Sequence, residues 1–306
     1  MKTVTVLLLF LSFAWDLKAA PPFEDRGLKI LSEVISKKWA RKLGGASLGE
    51  TRLVEEKPDL AIRYGLPPVW YAQIEHGGKA IGHVMWDSTG EGRLVEFALD
   101  LDLTFKGDAV AVIPDVPAFQ QFPIKIGDEK LMASGCVPTS AASLVSYWSG
   151  KKFPDWTNGN DDLKAITKRL RARLKMTPYP DIDGFTVNTM ALAGASPVTL
   201  ASAIKADAAA HHVAIRCEFG RFSLAAFKKE IEASRPALVS CRVRVPHKPH
   251  LSWGHEVAAV GWALIDEVEL VGVLDNFFPT QHPETIRWIR AEAFDSIITV
   301  EPKEKE

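Results

Sequence analysis

The spacing of hydrophobic residues changes along the chain, and its first third predicts a small domain. Apolar side chains recur every three or four positions over residues 27–43, which predicts one amphipathic helix. Short apolar runs separated by glycine-rich turns then predict three antiparallel strands, at residues 70–74, 80–86 and 94–101. We therefore expect residues 21–110 to form a small domain of one helix and an antiparallel sheet.

Residues 113–302 show a second pattern, in which helices precede most of the strands. Beyond a proline-containing linker, the helical spacing of apolar residues predicts four helices, at residues 136–148, 161–174, 199–210 and 223–233. Apolar strands are predicted around Cys217 and Cys241, and a closing hairpin is predicted over residues 256–262 and 269–274. Because the helices and strands do not alternate as in βαβ units, we predict an α+β fold.

The longest apolar run lies at the N-terminus. It covers residues 4–15, follows Lys2, and is succeeded by small residues at Ala19 and Ala20. A run of this length suits the hydrophobic part of a secretory signal and falls short of the roughly 20 residues needed to cross a bilayer. We therefore predict a signal peptide over residues 1–20 and a secreted or periplasmic protein with no stable membrane span after its removal. The alternative is an uncleaved signal anchor.

Composition and charge narrow the classes of partner. Of the 306 residues, 47% are hydrophobic and 25% are charged, which is typical of a globular protein that buries a core. The 37 Lys and Arg residues are balanced by 38 Asp and Glu residues, so no basic excess exists to neutralise phosphates. We therefore expect no nucleic-acid partner.

The first candidate for chemistry is Cys136, in the run Gly-Cys-Val-Pro-Thr at residues 135–139. Pro138 is tolerated in the first turn of a helix, so the predicted helix begins near Cys136. A helix N-terminus favours an anion, and the thiolate is the nucleophilic form of cysteine. The alternative role for Cys136 is that of a small apolar residue at a helix end. Cys217 and Cys241 lie in apolar strands and are expected to be buried thiols or one structural bridge.

A nucleophilic cysteine needs a base that a third group orients. His255 stands at the start of an apolar strand, and the next strand ends in Asp275 and Asn276. A hairpin that folds about Ile265 and Asp266 places His255 opposite Asn276, or opposite Asp275 if the register slips by one residue. The pattern therefore predicts His255 as the base and leaves the third member open.

Gln121 and a group of histidines near His255 are further candidates for chemistry. Gln121, upstream of Cys136, is a candidate donor beside the backbone N–H of that cysteine, although a lone glutamine here is also typical of an exposed linker. His247 and His250 precede His255, but prolines interrupt this stretch and no cysteine or carboxylate shares a ligand-like spacing with the histidines. We predict no metal and no cofactor.

These segments resemble the papain-like cysteine peptidases, most closely the bacterial branch related to the bacteriocin leader peptidases, cysteine peptidase family 39. The family's nucleophile lies in a Gly-Cys-Gly-Pro-Thr-like run, similar to residues 135–139. Its base lies in a Gly-His-apolar-Val-Gly-Tyr-like strand, similar to residues 254–262. Its oxyanion glutamine follows a Val-Pro-aromatic stretch, as Gln121 does, and its third member ends the next strand, as Asp275 does. The resemblance extends over residues 113–300.

The resemblance implies a papain-like catalytic domain over residues 113–302, preceded by the small helix-and-sheet domain. It implies a free-standing, secreted cysteine peptidase that acts on peptide or protein substrates. Cys136, His255 and Asp275 would form its triad, and Gln121 would contribute to its oxyanion hole.

Two departures from the family pattern keep alternatives open. Val137 takes the place of a glycine, and Asn276 follows Asp275 where the family has proline, so Asn276 stays an alternative third member. A transglutaminase-type acyltransferase and a catalytically inactive papain-like binding module are the alternative functions.

The resemblance also bears on residues 21–110, because secreted papain-like peptidases are commonly made as zymogens. It implies that this region is a pro-segment or inhibitory domain; the alternative is a permanent accessory domain. The zymogen hypothesis predicts low activity in the chain 21–306 and a rise in activity on cleavage between Lys106 and Asp115.

Overall fold

A single antiparallel sheet contains most of the strands in the part of the chain that the structure describes. The computed structural model describes residue 29 and residues 46–56, 65–88, 92–99, 110–121, 123–126, 130–133, 135–157, 163–175, 195–245, 248–265, 267–276 and 285–303. The twelve strands of the sheet are β1 (Ser47–Leu48), β2 (Arg52–Val54), β3 (Val69–His76), β4 (Lys79–Asp87), β5 (Leu94–Leu99), β6 (Val110–Val112), β9 (Ile215–Arg221), β10 (Ala237–Val245), β11 (Lys248–Ile265), β12 (Val268–Leu274), β13 (Ile286–Arg290) and β14 (Phe294–Pro302). Two further strands, β7 (Pro123–Ile126) and β8 (Lys130–Ala133), pair as a separate hairpin.

The order of the strands joins distant parts of the chain. Hydrogen-bonded neighbours run β1-β3-β4-β5-β13-β12-β11-β10-β14-β9, while β2 pairs with β3 and β6 pairs with β11. In the middle of this order β5 lies beside β13, with Phe97 opposite Trp288 and Glu96 opposite Ile289. The β5–β13 ladder therefore connects the strands near the N-terminus to those near the C-terminus.

The described residues also contain four α-helices: α1 (Cys136–Lys151), α2 (Leu163–Arg173), α3 (Pro197–Ala210) and α4 (Leu224–Glu232). They lie close to the four helices predicted for residues 113–302, because helix signals are local. At the start of α3, for example, the Ser196 side chain accepts a hydrogen bond from Thr199 N at 3.2 Å. No helix within the described residues is long and apolar enough to span a membrane. The predicted signal at 1–20 and, apart from residue 29, the helix predicted at 27–43 lie outside the described residues.

The predicted fold class, an α+β papain-like catalytic fold behind a small helix-and-sheet domain, is wrong. The large antiparallel sheet predominates among the described residues, and it takes strands from residues 47–99 as well as from residues 215–302. The sequence pattern contained no prediction for β13 and β14, where charged residues interrupt the apolar positions. The pairing of strands that are remote in sequence depends on shared packing rather than on local spacing, so the β5–β13 ladder was not predicted either. The division of the chain near residue 110 stays a prediction.

Apolar side chains pack on both faces of the sheet. The largest cluster joins the helices to the central strands and includes the fully buried side chains of Leu144, Ile166 and Leu200. A second cluster contains Trp86 and Trp288. Because side chains alternate along a strand, Trp288 on β13 faces the second cluster, whereas its neighbours Arg287 and Ile289 lie on the opposite face, where Ile289 joins the largest cluster.

Two glycines make room for Trp288 against the sheet. A Cβ atom at Gly272 on β12 would lie 2.9 Å from Cη2 and Cζ3 of the indole, and one at Gly261 on β11 would lie 3.2 Å from Cη2. The missing side chains let the indole lie directly against the backbone of these strands. This packing holds β13 in place and so positions Arg287 on the opposite face.

Candidate active site

Cys136 is the first residue of α1. Gly135 precedes it with a φ of 90°, a left-handed conformation that glycine adopts without strain. The Thr139 hydroxyl donates to the Gly135 carbonyl at 2.8 Å, and the Ser140 hydroxyl donates to the Cys136 carbonyl at 2.9 Å. Most of α1 is buried, which anchors the helix and leaves the partly exposed thiol at its N-terminus.

His255 lies on β11 and is 5% exposed. Its Nε2–H donates to Asp275 Oδ1 at 3.0 Å, and the side chain of Cys136 lies close enough to the ring to help raise the pKa of His255. Because Nε2 faces Asp275, a proton exchanged with the thiol would be held at Nδ1, the other ring nitrogen. The structure thus brings together the predicted nucleophile, the predicted base and one of the two candidates for the third member.

Asp275 reaches His255 diagonally across the β11–β12 hairpin. The predicted hairpin would pair Ala258 with Val273, but in the structure Ala258 pairs with Leu274. The turn lies one residue later than predicted, which shifts the register by two residues, and a bulge in β11 reverses one residue of that shift. One residue beyond Leu274, Asp275 lies on the same face of the sheet as His255. A diagonal pair of this kind is within reach of long side chains in an antiparallel ladder.

Charges around the imidazole favour its protonated form. Burial acts to lower the pKa of His255, but Asp275 and Cys136 outweigh burial and raise this pKa from 6.5 to about 9. Burial likewise acts to raise the pKa of Asp275, and His255 and Arg287 outweigh burial and lower it. At neutral pH an imidazolium therefore lies between a carboxylate and a thiol, as a thiolate–imidazolium pair requires.

Asn276 has a different set of contacts, which join α1 to the hairpin. Its Nδ2 donates to the Cys136 carbonyl at 3.1 Å, to Ser140 Oγ at 2.5 Å and to the Glu256 carbonyl at 3.0 Å. The side chain is buried, so these bonds are shielded from water. Of the two candidates for the third member, Asp275 makes the contact with His255, and Asn276 holds the helix that carries the nucleophile.

Gln121 lies beside Asn276. Its Nε2 donates to Asn276 Oδ1 at 2.8 Å, and its backbone N–H donates to the Asn276 carbonyl at 2.7 Å. Its neighbour Gln120 donates to the Asp275 carbonyl at 3.0 Å. The structure therefore brings Gln121 to the site and adds a contact with Asn276 that the sequence did not predict. One N–H of the Gln121 amide is engaged in this way, and the amide carries a second.

Cys217 and Cys241 differ from Cys136 in their burial. Both are buried free thiols, so no structural bridge joins them. Burial raises the pKa of Cys217 to about 11 and raises that of Cys241 well above its ordinary value. Since a buried, protonated thiol is a poor nucleophile, Cys217 and Cys241 are unsuited to nucleophilic chemistry, and Cys136 is the one of the three cysteines with a partly exposed thiol.

Two charged residues at the site were not predicted. Arg287 on β13 donates from Nη1 to Asp275 Oδ2 at 2.8 Å. Glu96 on β5 accepts from Nη2 and Nε of Arg287, at 2.7 and 3.2 Å. Both side chains are 2% exposed. The available signal was a single charge inside an apolar run, Ile-Arg-Trp-Ile in one strand and Leu-Val-Glu-Phe in the other, because a charge in such a place is almost always paired.

Comparison with models of protein families and with curated proteins finds no match. The resemblance to family 39 peptidases therefore rests on short motifs alone. Within the described ranges, no group of three or more His, Cys, Asp or Glu side chains is placed to hold a metal ion. The groups that the site brings together are a thiol, an imidazole and a carboxylate, the set used in nucleophilic acyl transfer.

Proposed function

We propose that the protein is a cysteine peptidase that hydrolyses peptide bonds, with Cys136 as nucleophile, His255 as general acid and base, and Asp275 as the orienting group. The observation that carries this proposal is the convergence of three side chains: His255 Nε2 lies 3.0 Å from Asp275 Oδ1, and Cys136, at the start of α1, lies close enough to the His255 ring to help raise its pKa. The motifs around Cys136 and His255, similar to those of family 39 peptidases, support the same reaction.

In the first half of the reaction the Cys136 thiolate attacks the carbonyl carbon of the substrate. A C–S bond forms, and the electron pair of the C=O bond moves to oxygen to give a tetrahedral oxyanion. The Nδ1–H of the His255 imidazolium then protonates the amide nitrogen as the C–N bond breaks. The amine leaves, and the acyl group remains on sulfur as a thioester.

In the second half water releases the acyl group. Neutral His255 takes a proton from water as the water oxygen attacks the thioester carbon, and the C–S bond breaks to return the thiolate. Asp275 holds the ring in one orientation and stabilises the imidazolium each time it forms. The site ends the cycle in its starting state, and the product is a carboxylic acid.

The developing oxyanion needs donors that are in place before the reaction. The backbone N–H of Cys136, at the unpaired N-terminus of α1, is one donor by position. Gln121 supplies the second through the amide N–H that does not bond Asn276 Oδ1. In this role Asn276 acts indirectly, because it orients both Gln121 and the Cys136 carbonyl.

Hydrolysis of a peptide library in H₂¹⁸O, read by mass spectrometry, tests the proposal against its alternatives. A peptidase gives new carboxyl termini that each carry one ¹⁸O atom from the attacking water. An acyltransferase of the transglutaminase type instead joins the acyl group to an added primary amine such as glycine amide, without ¹⁸O. Amine incorporation without hydrolysis would therefore contradict the proposal, as would the absence of any product.

Cysteine variants provide the matched controls. Cys136→Ala should abolish product formation and leave the circular dichroism spectrum unchanged. Cys217→Ala removes a thiol buried away from His255 and should keep the activity of the folded protein. Activity that persists in Cys136→Ala would overturn the assignment of the nucleophile.

We propose further that the enzyme acts outside the cytoplasm. The support is the apolar run at residues 4–15 with a preceding lysine and following small residues. Expression in a bacterial host, followed by fractionation and N-terminal sequencing, should give a protein outside the cytoplasm that begins near residue 21. A cytoplasmic protein with an intact N-terminus would contradict this.

A further inference from the structure

Alternating charges run from the candidate nucleophile into β5. Asp275 accepts from His255 on one oxygen, at 3.0 Å, and from Arg287 on the other, at 2.8 Å. Arg287 in turn holds both carboxylate oxygens of Glu96, at 2.7 and 3.2 Å. Beyond Glu96 the row ends at His83 on β4, whose Nε2 lies 2.8 Å from Glu96 Oε1. Strands β11, β13, β5 and β4, together with Asp275 just beyond the end of β12, thus contribute one row of five ionisable side chains.

The row is shielded from water along its length. His255, Asp275, Arg287 and Glu96 are exposed by 5%, 7%, 2% and 2%, respectively. Replacing a buried ion pair by apolar side chains is often neutral or stabilising, so burial of these charges is not explained by stability alone. A role at the candidate active site accounts for it, because the row ends on the imidazole.

The signs of the charges show what Glu96 does for His255. The Arg287 guanidinium lies beside Asp275 and repels the imidazolium on the other side of that carboxylate. Glu96 offsets this repulsion, because its negative charge compensates the positive charge of the guanidinium. The negative charge of Asp275 then stabilises the His255 imidazolium. The ionisation of Arg287 agrees with this: burial acts to lower its pKa, and Glu96, followed by Asp275, outweighs burial and raises it.

Glu96 also helps to fix the orientation of Arg287, which it holds by two hydrogen bonds. Arg287 Nη2 also donates to the Arg244 carbonyl at 2.8 Å, so the guanidinium is held between β5 and β10. A guanidinium fixed in this way presents Nη1 to Asp275 in one direction. The Asp275 carboxylate is consequently oriented from both sides, by Arg287 and by His255.

We infer that Glu96 and Arg287 are positioning residues of the candidate active site, which keep Asp275 charged and oriented so that His255 can hold a proton beside Cys136. This inference rests on the proposed function. It makes β5, from the region before residue 110, part of the working site. It is therefore incompatible with a zymogen in which residues 21–110 leave the enzyme, since their removal would take Glu96 away.

The experiment measures the rate at which iodoacetamide alkylates Cys136 at pH 7, followed by peptide mapping of the full chain. Glu96→Gln keeps the size of the side chain and removes its charge, and it should slow this alkylation about tenfold. Glu96→Asp keeps the charge and should recover part of the lost rate. With a cleaved peptide as substrate, Glu96→Gln should lower kcat and leave KM within about twofold.

Asp207 provides the matched control. It is fully buried between α2 and α3, where Arg169 Nε and Arg173 Nε donate to its Oδ1 at 2.8 and 2.7 Å. Asp207→Asn also removes a buried carboxylate from an arginine cluster, so it should lower thermal stability. Because the cluster does not touch the site, the folded variant should alkylate at the wild-type rate.

The outcomes separate this inference from the proposed function. If wild-type Cys136 reacts no faster than Cys217 and Cys241, the proposed function fails. If it reacts faster and folded Glu96→Gln matches the wild-type rate, only the present inference fails. Should Glu96→Gln not fold, Arg287→Lys decides, because a lysine keeps the charge but lacks the planar guanidinium that bonds Glu96 twice and Asp275 once in a fixed geometry. A folded Arg287→Lys with the wild-type rate would overturn the inference.

Discussion

Replacing Asp275 by asparagine is expected to slow the reactions of Cys136 by about a hundredfold. The asparagine amide has nearly the shape of the carboxylate, so the packing at the end of β12 is kept. What is lost is the negative charge that lies 3.0 Å from His255 Nε2. Without this charge the buried ring favours its neutral form, and the thiol loses its charged partner.

The magnitude follows from the ionisation of His255. Its pKa of about 9, compared with 6.5 for a free imidazole, corresponds to about 3 kcal/mol of net stabilisation of the imidazolium, at about 1.4 kcal/mol per pKa unit. Asp275 makes the largest favourable contribution to this shift. Loss of most of the 3 kcal/mol corresponds to a factor of roughly a hundred in the population of the charged pair.

The assay is the second-order rate of iodoacetamide alkylation at Cys136 at pH 7, expressed per folded molecule. Asn276→Ala is the comparison, because Asn276 contacts the Cys136 carbonyl and Gln121 and not the charge row. Asn276→Ala should lower thermal stability and slow alkylation far less than Asp275→Asn does. A larger loss of rate in Asn276→Ala, or a wild-type rate in Asp275→Asn, would refute the reasoning.

Three further predictions follow from the same contacts. The folded pKa of His255 is raised above its unfolded value of 6.5, so its contribution to stability is complete below pH 6.5 and is lost as the pH rises through about 9. Urea unfolding of the wild type and His255→Gln should therefore show a stability difference that shrinks by about 3 kcal/mol between pH 6 and pH 10; a constant difference would contradict the raised pKa. A disulfide reagent should titrate one thiol, Cys136, in the native protein and all three cysteines in denaturant, and rapid reaction of Cys217 or Cys241 in the native state would count against their burial. Gly272→Ala should lower the free energy of unfolding by about 1–3 kcal/mol, because its Cβ would lie 2.9 Å from the Trp288 ring. Gly150→Ala in α1 is the control: its Cβ meets no atom within 4 Å, so it should not destabilise, and an equal loss in both variants would show that the Trp288 contact is not the cause.

The local elements of the fold could be predicted from the sequence, but the way they assemble could not. The helix at Cys136 and the strands around Cys217 and Cys241 follow from the spacing of neighbouring residues. The ladder between β5 and β13 depends instead on how Trp288 packs against Gly272 and Phe97, which no local pattern contains. The mistaken α+β class came from the order of the predicted helices and strands, and the mistaken papain-like arrangement came from the resemblance of short motifs.

The site shows the same division. Cys136, His255 and Asp275 carry local signals, namely a helix start, a strand start and a strand end, and the structure brings these three residues together. The choice between Asp275 and Asn276 depended on a bulge and a turn that the sequence pattern does not determine. Arg287 and Glu96 could not be predicted as site residues, because each has its partner on a strand that is remote in sequence. A buried charge can be suspected from its apolar neighbours, but its partner cannot be identified from them.

The most direct test of the central claim is to trap the acyl-enzyme. A peptide substrate identified from the library is mixed with the wild-type protein, the reaction is quenched in acid within the first turnover, and the protein is mapped by mass spectrometry. The peptidase proposal predicts that the acyl part of the substrate is found as a thioester on Cys136, and that it disappears on longer incubation as free carboxylate forms. Two results would contradict the proposal. One is hydrolysis that leaves no adduct on Cys136 and continues in the Cys136→Ala variant, and the other is an adduct on Cys217 or Cys241.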